Sequence, residues 1–321
     1  EPIAIRSVKR FMTDTEYKHP WTPEPVGTEA TRKANAKKKV AVVGAGPAGL
    51  TAALRLAQRG YKVTVLEKLT VPGGMMTVGI PEYRLPREPL FAEIENIARA
   101  GVRIECNKAL GRDYTVDSLL EKYNAVVLAI GAHVSRKLGI PGEELAGVIH
   151  GTDFLREIGL SSVKDTGVSK PGKKVAGKRV AVVGGGDVAI DAARSAWRLG
   201  AKEVHIIYRR QRQDMPAHKE EIEAAMHEGI QFHFLANPVK VLGEKHVTGV
   251  VVQRQRLGEF DNSGRRRPVA IEGDEFNMDI DVLVPAIGQT TDVAPFSGSS
   301  VEITKGNTFK VVLQTLRDEL G

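Results

Sequence analysis

The sequence predicts an α/β protein with two dinucleotide-binding (Rossmann-like) units, and three observations carry that prediction. A short apolar run closes on a glycine-rich turn at Val40-Ala41-Val42-Val43-Gly44-Ala45-Gly46-Pro47-Ala48-Gly49. A second does so 140 residues on, at Val180-Ala181-Val182-Val183-Gly184-Gly185-Gly186-Asp187-Val188-Ala189. Each turn opens an alanine-rich helical stretch followed by another apolar run, and each half later ends in a hydrophobic run into Ala-Ile-Gly.

Taken in order, residues 1–38 have no strand pattern. Residues 5–16 read as a short helix, 20–25 are proline-rich, and a basic linker follows. Residues 40–43 suit a strand buried on both faces. Residues 50–59 read as a helix ended by Gly60, and 62–66 as the next strand, which completes one βαβ unit. After Gly73 and Gly74 comes an irregular stretch. A helix is then expected over 88–100, with strands at 102–106 and 125–130 closing on Gly131. The second βαβ unit occupies 179–208. A helix at 219–227 and strands near 231–235, 239–242 and 247–256 follow, and 282–287 closes on Gly288.

The chain has 321 residues, enough for about two domains. Its 42% hydrophobic and 26% charged content fits a globular enzyme. No apolar run approaches a membrane span, and the N-terminus lacks the hydrophobic stretch of a signal peptide. The chain does not begin with methionine and is expected to be an excised piece of something longer. Its single cysteine, Cys106, offers no Cys-x-x-Cys pair or iron–sulfur cradle and fits a reducing, cytoplasmic compartment. The net charge of +7 is spread out. The basic runs at 32–39 and 265–267 read as solvated loops, with docking to an acidic protein as the other reading, so neither nucleic acid nor membrane is an expected partner.

The glycine turns carry the chemistry. In such a turn the first glycine allows the tight bend, the second lets the backbone approach a pyrophosphate, and the third lets helix and strand pack closely. The phosphates then meet the N–H groups and positive end of the helix. Glu67, 23 residues after Gly44, stands where a carboxylate accepts hydrogen bonds from the ribose hydroxyls of an adenosine. The second motif has Ala189 in place of the third glycine. Its following strand runs into Arg209 and Arg210, with Arg212 beyond. Guanidiniums pair with a 2′-phosphate that an acid would repel, which points to NADP(H) over NAD(H). Two unlike nucleotides on one chain imply electron transfer between them. Gly73 and Gly74 mark either a close backbone approach to a ligand or a simple turn. His133, His150, His205, His218, His227 and His233 lack metal-ligand spacing and read as structural or solvent-facing, His205 as a satisfied core histidine. No metal site is expected, and no nucleophile elbow or zinc-protease motif occurs.

The stretches VAVVGAGPAGLTAALRLAQRGYKVTVLEK, PGGMMTVGIPEYRLPRE, VVGGGDVAIDAARSAWRLGA and IIYRRQRQDMPA resemble one flavoprotein family. It contains the glutamate synthase small subunit, the flavin domain of dihydropyrimidine dehydrogenase and the large subunit of ferredoxin–NADP transhydrogenase. GIPEYRLP is the most specific piece, because no generic Rossmann fold demands it. The resemblance implies FAD at the first motif and NADP(H) at the second, with NAD(H) an alternative, and an NAD(P) domain inserted in the FAD domain. The implied boundaries are an N-terminal arm at 1–38, the first part of the FAD domain at 39–135, the NAD(P) domain at 136–285 and a return to the FAD domain at 286–321. Gly44, Gly46, Pro47, Ala48, Gly49, Glu67 and Lys68 are then implied to hold the ADP half of FAD. Gly74, Met75, Arg84, Leu110 and Gly131 are implied to lie along the rest of the flavin. Gly184, Gly186, Asp187, Val188, Ala189, Arg209 and Arg210 are implied to meet the nicotinamide dinucleotide. Ala286, Ile287 and Gly288 would lie where the two cofactors approach.

No catalytic side chain is expected, since the cofactors carry the reaction. Relatives carry a cysteine-rich iron–sulfur region before a segment like PIAIRSVKRF and a flavin-binding Gly-Asp stretch after one like FKVVLQTLRDELG. Both are expected outside this chain, with iron–sulfur clusters on such a region or on a partner subunit. The rival readings are a disulfide reductase, opposed by the lack of Cys-x-x-Cys, and a non-catalytic nucleotide-binding or assembly domain.

Overall fold

The computed structural model describes residues 4–16, 18–169, 171–261 and 264–311, so the last ten residues of the expected return segment lie outside the described residues. The chain divides into two compact units. One comprises Glu1–Thr77, Leu85–His133 and Thr290–Gly321, the other Val78–Arg84 and Val134–Gln289.

The first unit begins with α1 (Ile5–Glu16) and α2 (Glu29–Asn35). The basic linker expected here is thus partly helical. Thr28 caps α2 by accepting a hydrogen bond from the Thr31 N–H at 3.2 Å, a signal the charge run hid. Next come β1 (Lys39–Val43), α3 (Pro47–Gln58) and β2 (Lys62–Leu66), followed by α4 (Met75–Val78), whose last residue is counted with the second unit. The chain continues through α5 (Arg87–Arg99), β3 (Arg103–Glu105), α6 (Val116–Leu120) and β4 (Ala125–Leu128). The four strands form a parallel sheet in the order β3-β2-β1-β4, with Val40 beside Val63 and Ala125. The period of two along β1 serves both faces. Val42 packs with Leu50 and Ala53 of α3, whereas Ala41 and Val43 pack on the other side with Leu119 of α6.

The second unit contains β5 (Val134–Ser135), α7 (Gly151–Ser161), α8 (Gly172–Val175), β6 (Arg179–Val183), α9 (Asp187–Arg198) and β7 (Glu203–Tyr208). Then come α10 (Lys219–His227), β8 (Gln231–Phe234), β9 (Ala236–Leu242), β10 (Gly249–Phe260), β11 (Arg266–Asp279) and β12 (Val282–Pro285). A short β13 (Gln289–Thr290) pairs with β5. The parallel sheet runs β12-β6-β7-β8, and β11-β10-β9 form a separate antiparallel sheet. Alternation again divides the strands between two cores. Val180, Val182, Ile206 and Val284 pack with Ile190 and the alanines of α9. Ala181, Val183, Ile207 and Leu283 instead pack with Val241, Val250 and Val252 of the antiparallel sheet. Ile190 and Ile206 are fully buried, each stabilising the fold by about 1.5–3 kcal/mol.

The run at 265–267, read from sequence as a solvated loop, opens β11, a strand the sequence reading missed. With Pro268, Gly273 and many charges, β11 has weak intrinsic strand character. It forms because β10 supplies its partners, Val250 facing Met278 and Val252 facing Phe276.

Candidate functional sites

In the first unit a cavity of about 490 Å3 lies at the β1–α3 turn. Gly44 bends the chain at φ +105°, its N–H donating to the Leu66 carbonyl at 2.8 Å, and a side chain there would overlap the Ala129 carbonyl at the end of β4. Gly49 does not line the cavity; its missing side chain lets α3 sit against Gly44. Gly46 precedes α3 in an extended conformation, no side chain caps the helix, and Pro47 occupies the first turn, where its missing N–H costs nothing. The helix end therefore points its donors at the cavity, which Gly46, Pro47 and Ala48 line.

Glu67 is buried and lines the same space. One of its oxygens accepts from the Ala45 N–H and the other from the Leu69 N–H, both at 2.8 Å. The carboxylate thus ties the glycine turn to the loop after β2, with lone pairs left for a ligand hydroxyl. Gly74, at φ +55°, lies so close to the first turn that a Cβ would stand 2.8 Å from the Gly46 Cα. Gly74 therefore makes a close approach to the backbone of the first turn, which only glycine permits. Lys68, Met75, Leu110 and Gly131 complete the sequence-expected lining. Lys108, Tyr114, His133, Asp292, Pro295 and Phe296 line it too, and sequence reasoning missed them. His133, read from sequence as structural or solvent-facing, lines this cavity. Its signal was its place two residues after Gly131. The last three come from the return segment, whose place no local pattern reveals. Burial, and then Glu67, raises the Cys106 thiol above its ordinary value, so this cysteine is a poor nucleophile.

The second unit repeats the turn. Gly184 bends at φ +143°, donates to the Ile207 carbonyl at 3.0 Å and lies against Ala286. A side chain at Gly185 would collide with the Tyr208 ring. Gly186 leads into α9 without a side-chain cap, and Ala189 is fully buried against the strands. Asp187 opens α9 and would repel an anion, but its carboxylate accepts from the His218 N–H at 3.2 Å and meets His218 Nδ1 at 3.0 Å. Burial works to raise Asp187, yet these bonds hold it below the usual carboxylate range. Ile287 is exposed, and Gly288 turns at φ +132°.

The two arginines after β7 differ. Arg209 is exposed. Arg210 is buried, with Nε donating to the Arg266 carbonyl and Nη2 to Asp261, each at 2.9 Å. The expectation that both meet the nucleotide is corrected for Arg210, whose guanidinium is turned into the protein. Arg84 departs further. Expected along the flavin, it belongs to the second unit, with Nη1 within 2.8 Å of both Asp191 oxygens and Nε 3.3 Å from Glu221. Tyr83 lies beneath Arg198, 4.1 Å from ring centroid to guanidinium, and beside Arg194, which pairs with Glu221 and Glu228. Burial pushes Asp191 up to about 6 despite the opposing bond from Arg84. A readable signal existed, since residues 187, 191, 194 and 198 recur at helical spacing and stripe one face of α9 with charge. His205 is a satisfied core histidine, its Nδ1 3.1 Å from His233 Nε2.

Both turns fit a dinucleotide. Each has a glycine bend, an extended glycine before an uncapped helix and a charged residue after the next strand, the features of a dinucleotide-binding turn. The chain belongs to the pyridine nucleotide–disulphide oxidoreductase family, whose model matches residues 38–317. The chain is 47% identical over 335 residues to the beta subunit of an NADP(+)-dependent formate dehydrogenase from Moorella thermoacetica, across 98% of this chain and 46% of that protein. It is 41% identical to the beta subunit of an NADPH-Fe(3+) oxidoreductase from Geobacter sulfurreducens, across 100% of this chain and 47% of that protein. A putative NADPH glutamate synthase small chain from Cereibacter sphaeroides is 34% identical across 98% of this chain and 75% of its own length. The chain thus spans about half the length of the first two relatives. Mycobacterium tuberculosis FprA, solved in complex with NADPH, shares the fold, with a TM-score of 0.72 at 23% identity over 86% of this chain and 75% of that one. Among the described residues no helix is long and apolar enough to cross a membrane.

Proposed function

We propose that the first unit holds FAD, that the second holds NADP(H), and that the chain is the electron-entry module of a larger assembly. One observation carries this reading: two equivalent glycine turns lead to opposite charges, buried Glu67 at one and exposed Arg209 at the other. The bound cofactors supply hydride transfer from nicotinamide C4 to flavin N5, with no proton that a side chain must move. Gly44, Gly46 and Ala48 would set the pyrophosphate of FAD against α3, while Glu67 accepts from the adenosine ribose. Lys68, Met75, Leu110 and Gly131 would line the remainder of the molecule. Gly184, Gly186 and Val188 would seat the second pyrophosphate, with the Asp187 carboxylate held aside by its bonds to His218. In this reading the NADP(H) domain, 136–285, is nested between two parts of the FAD domain, which the separate compact unit at Val134–Gln289 and Val78–Arg84 supports.

Names of relatives as beta subunits or small chains support a partner subunit, and we place iron–sulfur clusters there or elsewhere in the parent protein. The lone, deactivated Cys106 favours this over disulfide reduction and fits a cytoplasmic setting. The test is an anaerobic titration of the FAD-reconstituted chain. NADPH should bleach the visible flavin band faster than NADH; equal rates would remove the 2′-phosphate assignment. Failure to retain any flavin would remove the module reading for this chain.

A further inference from the structure

Asp187 opens α9, where the phosphates of a second dinucleotide would be seated, and its own carboxylate is an anion that competes for that place. No side chain caps this helix, and the Ala189 and Ile190 N–H groups both turn back to the Gly186 carbonyl, at 2.9 and 3.2 Å. The donors that open towards a phosphate are therefore those of Asp187 and Val188. A carboxylate in the first turn of a helix is drawn to the same positive end. Here it is held elsewhere. Its Oδ1 accepts from the His218 N–H at 3.2 Å, and His218 Nδ1 lies 3.0 Å from Oδ1 and 3.1 Å from Oδ2. Arg84 Nη2 stands 3.8 Å from Oδ1. The Asp187 side chain is 37% exposed, so these partners set its place and not enclosure. Both holders are themselves fixed. The Ala217 N–H donates to the Gly185 carbonyl at 3.2 Å, which pins the segment carrying His218 to the glycine turn. Arg84 is anchored one helical turn along α9 by both oxygens of Asp191, at 2.8 Å, and by Glu221 of α10 at 3.3 Å.

We infer that Arg84 and His218 are positioning residues for the second dinucleotide, holding the Asp187 carboxylate off the start of α9 so that its N–H groups stay open to a phosphate. This rests on the reading of the second unit as an NADP(H) site and deepens it. Neither residue needs to touch the ligand. A released carboxylate acts against the ligand twice, by repelling its phosphates and by occupying donors that they need. The inference also gives the arginine of GIPEYRLP a task within the second unit, in place of the flavin contact expected from sequence.

The experiment is calorimetric titration of the full chain with NADP+, with excess FAD in cell and syringe so that the first site is filled. Arg84→Gln should weaken NADP+ binding roughly tenfold, and His218→Ala roughly threefold, because the His218 backbone N–H remains. Asp187→Ala should tighten binding about twofold, since it removes the competing anion. The decisive readout is the double-mutant cycle. In the Asp187→Ala background, Arg84→Gln and His218→Ala should each cost less than about twofold, because no carboxylate is left to hold aside. A residue that served only to hold the fold together would cost the same in both backgrounds, and that result overturns the inference while the NADP(H) reading survives. So does native-like binding by Arg84→Gln and His218→Ala. Should Arg84→Gln fail to fold, the His218→Ala pair carries the cycle, since it leaves Arg84 on Asp191. If the native chain does not bind NADP+, the NADP(H) reading itself fails and takes the inference with it.

Discussion

At the scale of single residues, charge and burial decide what each group can do. Arg209 is the arginine at the strand end that solvent and ligand can reach. Arg209→Glu should therefore invert the preference for NADPH over NADH, measured as the ratio of kcat/KM for flavin reduction; an unchanged ratio would show that Arg209 does not touch the phosphate. Asp191 shows the opposite balance. Burial takes it from 3.8 to about 6. Between about pH 4 and pH 6 the folded protein therefore keeps a proton that the unfolded chain has released, and stability falls as pH rises through that window. The contribution is at most about 3 kcal/mol. Asp191→Asn should flatten this dependence in urea unfolding followed against pH; parallel profiles for the two proteins would refute it. Arg84→Ala should widen the window, because the Arg84 bond is what restrains the rise.

At the scale of elements, the β1–α3 turn depends on backbone approaching backbone. Gly74→Ala meets two penalties, a left-handed φ of +55° and a Cβ 2.8 Å from the Gly46 Cα. Gly139→Ala meets only the first, with φ +72° and nothing within 4 Å. Left-handed strain alone costs about 1–2 kcal/mol. Gly74→Ala should thus lower the melting temperature more than Gly139→Ala and should also lower the flavin retained per protein. Equal losses would mean that the close approach carries no weight. Charge on α9 follows the same logic. Its alanine face lets the helix lie close on the sheet, and its opposite stripe is covered by Tyr83 and Arg84.

At the scale of the whole molecule, two units with separate cores imply two ligand responses. Saturating 2′,5′-ADP, at about a hundredfold over its Kd, should stabilise its unit by about 2.7 kcal/mol. In hydrogen-exchange mass spectrometry it should slow exchange within Val134–Gln289, whereas FAD should slow exchange around β1, α3 and the Gly74 loop. Protection in the opposite units would reverse the assignment of the two sites. The electron acceptor belongs to this scale too, since the chain spans about half of its first relatives.

The sequence by itself determined the two βαβ units, because strand alternation, glycine bends and helix-opening residues are local properties. It placed β2 at 62–66 and α10 at 219–227 with the bounds the structure shows, and it located Gly44, Gly46, Glu67 and Met75, all of which line one cavity. Tertiary structure alone decided the rest. Arg209 and Arg210 are adjacent and chemically identical, and only packing against a hairpin some fifty residues away turns one inward and leaves the other exposed. β11 exists because β10 pairs with it, not because its residues favour a strand. Arg84 sits within a motif that reads as flavin-binding, yet it is held by carboxylates more than a hundred residues on. Periodicity records which face a residue occupies along its own element. It carries no record of which distant charge that face meets, because burial and pairing energies are set by neighbours that only the folded chain brings together.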